Sequence, residues 1–297
     1  MYQSHFGLSE APFSITPNPA FFYSGNTRGE MLAALLYAVC QGEGIIKVTG
    51  EVGSGKTMLC RMLEQQLPEH IDVLYLVNPS LGPREILHAI AAELGLEPDG
   101  RRADQVQRML NTELIARHSQ GRQVVLLVEE AQAMPLETLE EVRLLTNLET
   151  ARHKLLQIVL FGQPELDDSL ALPRMRQLRE RITHSFEVPP MPRDLIPEFL
   201  GFRLQAAGYD GPEIFSRHAV RLIADGSEGI VRRINVLADK AMLAAFVDDA
   251  RCVGATHVRQ AIHEASYSCA GLWRNRSMIV LERIWGTYFS NTTFWRR

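Results

Sequence analysis

The sequence has little lysine, few cysteines and no long hydrophobic run. Among its 297 residues only Lys47, Lys56, Lys154 and Lys240 are lysines, and the formal net charge is −4. That balance gives no electrostatic reason to expect tight nucleic-acid binding, which depends on many cationic contacts with phosphate. No apolar run approaches the roughly 20 residues of a membrane-spanning helix. We therefore expect neither a membrane span nor a nucleic-acid partner.

The four cysteines are widely scattered, with no CxxC spacing: Cys40, Cys60, Cys252 and Cys269. This pattern predicts reduced thiols rather than disulfides or a zinc site. The N-terminal stretch has neither a basic start nor an apolar segment, so it is not typical of a secretory signal. These features together indicate a cytoplasmic protein.

Five apolar, strand-like runs alternate with helical patterns, at 44–50, 71–77, 123–129, 155–162 and 182–188. Continuous apolar strands separated by amphipathic helices predict a parallel sheet covered on both faces. Before the first strand, a helix is predicted to begin at Thr27. The Thr27 hydroxyl would cap its first turn while Glu30 reaches back, as in a capping box.

Three prolines, at 189, 190 and 192, indicate a boundary after the last strand. Beyond it, only helical periodicity continues. We expect an α/β domain over 1–190, a helical domain over 191–265 and an irregular tail over 266–297. The tail holds all three tryptophans and several arginines, so lying on a membrane surface or docking a partner is the alternative interpretation.

The stretch GEVGSGKT, residues 50–57, fits the phosphate-loop pattern G-x-x-x-x-G-K-[ST], with a strand before it and a helix after it. Successive backbone N–H groups would face a phosphate at the helix N-terminus. Lys56 would reach the β- and γ-phosphates, and Thr57 would place its hydroxyl on Mg²⁺. The predicted nucleotide-binding residues of this loop are Gly50, Glu51, Val52, Gly53, Ser54, Gly55, Lys56, Thr57 and Met58.

Two carboxylates, Glu129 and Glu130, end the third strand. Glu129 takes the position that supports Mg²⁺ beside Thr57, and Glu130 the position that orients and polarises the attacking water. Aspartate is usual at the first position, but Mg²⁺ keeps several waters and tolerates a longer carboxylate. The sequence predicts an active and slow ATPase. A surface strand end is the alternative.

Several stretches together resemble the ExeA/GspA-like family of AAA+ ATPases of bacterial secretion and pilus assembly. They include HFGLSEAPFSITPNPAFFY, VVLLVEEAQAMPLETLEEVRLLTNLET, FGQPEL, RQLRERI and GIVRRINVLADKAM, and they span nearly all of residues 5–265. The resemblance implies a P-loop NTPase (AAA+) fold with a five-stranded parallel sheet flanked by helices and a small helical lid domain. It also implies ATP and Mg²⁺ as ligands.

The resemblance assigns further roles. Gln163 would sense the γ-phosphate, although it could also be a turn residue before Pro164. Arg181 would act as an arginine finger on a neighbouring subunit, offsetting charge on the transferred phosphoryl group. Arg179 and Arg176 are its rivals, and any of the three could be a solvated surface charge.

In the lid, the resemblance places Arg232 against the nucleotide, with Arg233 as the second candidate. It also suggests that the segment around Pro12 and Phe13 packs beside the adenine, although core packing explains those residues equally well. Family members of the ExeA type continue past the lid into a membrane span and a peptidoglycan-binding domain. Neither is found here, so direct peptidoglycan binding is not expected.

The function implied is an ATP-driven assembly factor for a type IV (MSHA-like) pilus or a type II secretion system. It would form a homo-oligomeric ring and meet its assembly partners at the inner membrane, as a cytoplasmic or peripheral protein. One alternative is a DNA-associated ATPase of the transposition-helper type, which shares the same core. Another is a nucleotide-gated binding module that hydrolyses little because of Glu129.

Overall fold

The computed structural model describes residues 2–265, apart from residues 26, 43, 77, 151 and 152. The chain up to Glu264 forms one compact unit. The predicted tail over 266–297 lies outside the described residues. Across the described ranges, no helix combines the length and apolar character that crossing a membrane requires.

Five parallel strands form one sheet, in the order β2-β3-β4-β1-β5. They are β1 Ile45–Thr49, β2 Ile71–Leu76, β3 Gln123–Val128, β4 Leu156–Gly162 and β5 Ile182–Glu187. Each lies within a residue or so of its predicted run. The central strands β3 and β4 are buried almost throughout, as expected when helices cover both faces of a sheet.

Twelve α-helices complete the described chain: α1 Tyr2–Phe6, α2 Thr27–Gln41, α3 Lys56–Gln66, α4 Pro83–Glu93, α5 Ala103–Ser119, α6 Leu136–Leu145, α7 Glu165–Ala171, α8 Arg176–Arg179, α9 Ile196–Ala206, α10 Arg217–Ser227, α11 Val231–Val247 and α12 Ala255–Glu264. Helices α2 and α3 pack on one face of the sheet, around Leu59, Leu127 and Val159. Helices α4, α5 and α6 pack on the other face, around Leu110, Leu126 and Ile158. Alternate residues of each strand therefore serve two separate cores.

Helices α9–α12 follow the sheet and pack mainly on one another. The N-terminal segment lies against this helical region rather than against the sheet alone. Arg203 of α9 is 4% exposed, and it donates to the Pro12 carbonyl at 2.6 Å and to the Ser14 carbonyl at 3.2 Å. The segment before α2 is thereby fixed beside the phosphate loop.

The helix predicted to start at Thr27 does start there, but the predicted capping box is wrong. The Thr27 hydroxyl is buried and makes no hydrogen bond in the part of the chain that the structure describes. Thr27 is already a helical residue, so its hydroxyl lies too far along the helix for a side-chain cap.

Candidate nucleotide-binding site

The phosphate loop connects the end of β1 to the start of α3 at the carboxyl edge of the sheet. Gly53 and Gly55 have φ angles of 82° and 106°, which residues other than glycine rarely adopt. At Gly53 a Cβ would lie 2.6 Å from the Cβ of Arg232. The glycine is therefore required both by the turn and by the close approach of α11.

Lys56 is the first residue of α3 and is only 8% exposed. Its Nζ donates to the carbonyls of Gly50 at 2.7 Å and Glu51 at 3.0 Å, so the ammonium lies inside the loop. Burial lowers the pKa of Lys56, and the nearby carboxylates, of which Glu130 is the strongest, oppose that shift. The loop thus holds a buried cation where an incoming phosphate would replace carbonyl oxygens.

Thr57 and Glu129, the two predicted metal-site residues, are in contact. The Thr57 hydroxyl donates to Oε2 of Glu129 at 2.6 Å. The longer carboxylate therefore reaches the threonine that Mg²⁺ would use. A hydroxyl and a carboxylate side by side are the oxygen donors that Mg²⁺ prefers, so these residues fit the metal.

Glu130 follows in the left-handed backbone conformation, with φ 52°, which is uncommon for a residue other than glycine. Its Oε2 accepts from Nε2 of Gln132 at 2.6 Å and from Nε2 of Gln163 at 3.0 Å. Burial would raise the pKa of this carboxyl, but the two amides and the charges of Lys56 and Arg232 lower it below its usual range. Glu130 is thereby held ionised and oriented.

Sequence reasoning missed several residues of this site, and three of them bond to the glutamates, to Gln163 or to the phosphate loop. Gln132 accepts from the backbone N–H of Gln163 at 3.0 Å as well as binding Glu130. Tyr75 of β2 donates its hydroxyl to Oε1 of Glu129, and its pKa is raised by burial and by this bond, so it keeps its proton. Arg28 of α2 donates to the Ser54 carbonyl at 2.9 Å. Only the position of Gln132, two residues after Glu130, carried a local signal.

A cavity of about 160 Å³ extends from the phosphate loop to the segment before α2 and the helices α9 and α11. The sequence predicts that the segment around Pro12 and Phe13 lies beside the adenine or in the core, and Phe13 itself takes the core position. Phe13 is buried against Phe215, with ring centroids 5.9 Å apart, while the residues after it, Ser14–Pro17 and Phe21–Tyr23, line the cavity. The Phe13 side chain is only 2% exposed because it packs in the core, so it does not line the cavity.

Among the charged side chains that line this cavity, cations outnumber carboxylates. Arg28, Lys56, Arg203 and Arg232 all line it, while Glu130 is the one carboxylate among the described lining residues. Burial lowers the pKa of both Arg28 and Arg203 to about 10, and both stay charged at neutral pH. Such a wall is suited to a polyanion with an apolar or aromatic part.

In the helical region after the sheet, Arg232 lies at the cavity and Arg233 does not. The backbone N–H of Arg232 donates to the Gly53 carbonyl at 3.0 Å, and its side chain lines the cavity with Gln163 and Glu130. Arg233 instead forms an ion pair with Glu228.

Arg181 lies away from these groups, at the opposite edge of the sheet, where its carbonyl accepts from the first residue of β1. Its guanidinium donates to the Thr146 hydroxyl and, at 3.4 Å, to the Arg143 carbonyl. Arg176 is paired with Glu180 at 2.9 Å, and Arg179 is exposed. None of these arginines reaches the phosphate loop of its own chain.

Comparison with known proteins agrees with this geometry. Residues 39–170, which include the phosphate loop, both glutamates and Gln163, match a family described as AAA domain. General secretion pathway protein A of Aeromonas hydrophila is 41% identical over 283 residues, or 95% of this chain and 52% of that protein. The chain thus spans about half the length of this relative. The Mu-like prophage FluMu DNA transposition protein B of Haemophilus influenzae is 33% identical over 129 residues, 43% of this chain and 42% of that protein.

Among solved structures, Cdc6p from Pyrobaculum aerophilum matches with a TM-score of 0.64 and 17% identity, over 91% of this chain and 74% of that one. This similarity concerns the fold alone. Together with the strand order, it establishes the predicted AAA+ fold of a parallel five-stranded sheet with a C-terminal helical region.

Proposed function

We propose that this chain, an AAA domain protein homologous to general secretion pathway protein A, binds ATP with Mg²⁺ and hydrolyses it to ADP and phosphate. One observation carries the proposal. Lys56, the Thr57–Glu129 pair and the Glu130–Gln163 pair converge at one edge of the sheet, beside a cavity whose charged lining residues are mostly cations. Three separate segments of the chain thus supply the groups that phosphoryl transfer needs.

Each group has a distinct task. Lys56 would give up its two carbonyl acceptors for phosphate oxygens and offset their charge. Thr57 and Glu129 would hold Mg²⁺, which, when bound, neutralises charge on the β- and γ-phosphates. Glu130, ionised and held through Oε2, has its other oxygen free of protein donors among the described residues, so that oxygen can accept from the attacking water. Gln163 and Arg232 would contact the γ-phosphate.

The cavity is smaller than the roughly 300 Å³ at which ordinary ligand pockets begin. Helices α9 and α11 would therefore move away from the phosphate loop to admit a nucleotide and close again over it. Such a lid would link the bound state to the angle between sheet and helices.

In the cell, we propose an assembly factor for a type II secretion system or a type IV (MSHA-like) pilus, close to the MSHA pilus biogenesis protein MshM. Support comes from the 41% identity with the secretion protein. The chain would work in the cytoplasm or at the inner membrane, as a ring in which Arg181, or its rival Arg179, completes the site of the next subunit. A head-to-tail contact of this kind closes naturally into a ring.

The test is Mg²⁺-dependent ATP hydrolysis across a series of protein concentrations, beside Lys56→Ala and Glu130→Gln. Turnover that rises more than linearly with concentration and is lost in both variants would support a site completed between subunits. ATP binding without turnover would instead indicate a nucleotide-gated binding module. No binding of ATP would refute the proposal.

A second candidate function rests on the 33% identity with a DNA transposition protein. A DNA-associated ATPase could use the same core, but the net charge of −4 argues against strong non-specific DNA affinity. A DNA-binding titration at several salt concentrations separates the two. Submicromolar binding at moderate salt that weakens steeply as salt rises would favour the DNA-associated function.

A further inference from the structure

The carboxylate of Glu129 is held at both ends, by hydroxyls from two different elements. Oε2 accepts from Thr57 at the start of α3, and Oε1 accepts from Tyr75 near the end of β2. The strand register explains the meeting. Tyr75 is paired with Leu127 of β3, and Glu129 lies two residues beyond Leu127 on the same face of the sheet. Helix α3 covers that same face.

The length of the Glu129 side chain makes this double hold both possible and useful. Glutamate has one more methylene and one more rotatable bond than aspartate, so its carboxylate reaches farther from the backbone, to a point between the Thr57 and Tyr75 hydroxyls. The extra bond also gives freedom that must be lost before the carboxylate can serve a metal. A hydrogen bond to the charged oxygen removes that freedom, and such bonds are among the stronger ones.

We propose that Tyr75 is a positioning residue, whose hydroxyl holds Oε1 of Glu129 so that Oε2 stays at Thr57, where Mg²⁺ binds with the nucleotide. This role rests on the proposed function, because it concerns the metal side of the nucleotide site. Tyr75 touches neither nucleotide nor metal. It compensates for a carboxylate that is longer than the usual aspartate.

The test is the Mg²⁺ dependence of binding of a fluorescent ATP analogue to the full chain. Tyr75→Phe keeps the ring and removes only the hydroxyl. We expect nearly unchanged affinity in the presence of EDTA and a Mg²⁺ midpoint about tenfold higher, the change expected when one hydrogen bond to a charged group is lost. Tyr37→Phe, at a position that is 65% exposed on α2, is the matched control and should leave the midpoint unchanged.

A second pair of variants separates positioning from general damage to the fold. Aspartate at 129 withdraws the carboxylate by one methylene, and we expect it to lose the Tyr75 hydroxyl, so Tyr75→Phe should have little further effect on the Mg²⁺ midpoint in a Glu129→Asp background. An equal shift in both backgrounds, or no shift in either, would overturn the role of Tyr75. Absence of nucleotide binding by the parent chain would overturn the proposed function and this inference with it. Binding by the parent with an unshifted midpoint in Tyr75→Phe would overturn this inference alone.

Discussion

The backbone N–H of Arg232 donates to the carbonyl of Gly53 at 3.0 Å. Through this bond the start of α11 rests directly on the phosphate loop, and Ile230 and Arg232 lie where a side chain at position 53 would point. The conformation of the loop at Gly53 is therefore coupled to the position of the start of α11. A group that enlarges the loop at this point has to displace the start of α11.

Gly53→Ala should therefore weaken nucleotide binding in addition to lowering the stability of the fold. The added Cβ would lie 2.6 Å from the Cβ of Arg232, and we expect ATP affinity to fall about tenfold or more, or about 1.4 kcal/mol. Gly95→Ala is the matched control, because Gly95 has a φ of 80° and open space around its Cβ position. Both variants should lose about 1–2 kcal/mol of stability from the positive φ, but only Gly53→Ala should lose affinity. Equal affinities in calorimetric titrations would contradict this.

The pH dependence of hydrolysis should reveal the two amides on Glu130. Because Gln132 and Gln163 lower the pKa of this carboxyl, it stays ionised at pH values below its usual range and loses its charge only on further acidification. Gln132→Leu and Gln163→Leu each remove a donor, so the pKa rises and the acidic limb of the rate profile moves to higher pH. Gln65→Leu, at an exposed position on α3, should leave the limb in place. A limb that stays put in all three variants would exclude Glu130 as the group that titrates.

Arg181 is predicted to act on a neighbouring subunit, since it lies at the edge of the sheet away from its own phosphate loop. Arg181→Ala should keep ATP affinity and lose about 10³-fold in turnover, as expected for an arginine finger. Mixing it with Glu130→Gln should restore part of the activity, because each variant supplies what the other lacks. Arg179→Ala, tested in the same way, decides between the two arginines. Failure of the mixture to recover activity would argue for a structural role through Thr146.

Much of this arrangement follows from local sequence. The strands, the phosphate loop and both glutamates are marked by apolar runs and by a motif of fixed spacing, and each lies where the pattern predicts. The partners of those residues could not be predicted in this way. Tyr75 reaches Glu129 from a strand that is 54 positions away, and Arg28 reaches Ser54 from a helix before the sheet, so the contacts depend on register and packing.

Phe13 is a second case in which the sequence does not determine the partners of a residue. An aromatic residue near prolines can be core or ligand wall, and only the three-dimensional packing distinguishes them. Here the ring packs edge to face with Phe215, which lies 202 positions later in the chain and is itself buried. The sequence therefore leaves both roles open for Phe13, and its partner in the core could not be predicted from hydrophobicity.

Asn235 offers a last prediction, about which base the cavity accepts. It lies on α11 one turn after Arg232, lines the cavity and is 6% exposed, and its Oδ1 is buried without a hydrogen-bond partner among the described residues. A buried acceptor left unpaired costs free energy, so a ligand that supplies a donor there is favoured. Adenine offers its amino group and a ring nitrogen side by side, which an asparagine amide can bind together, whereas guanine offers oxygen in place of the amino group.

We expect the parent chain to prefer ATP over GTP, and Asn235→Leu to reduce that preference about tenfold. Lys56→Ala is the contrasting variant, because loss of a phosphate contact should weaken both nucleotides equally and leave their ratio unchanged. Competition titrations of ATP against GTP give the ratio directly, and an unchanged ratio in Asn235→Leu would show that the base is read elsewhere.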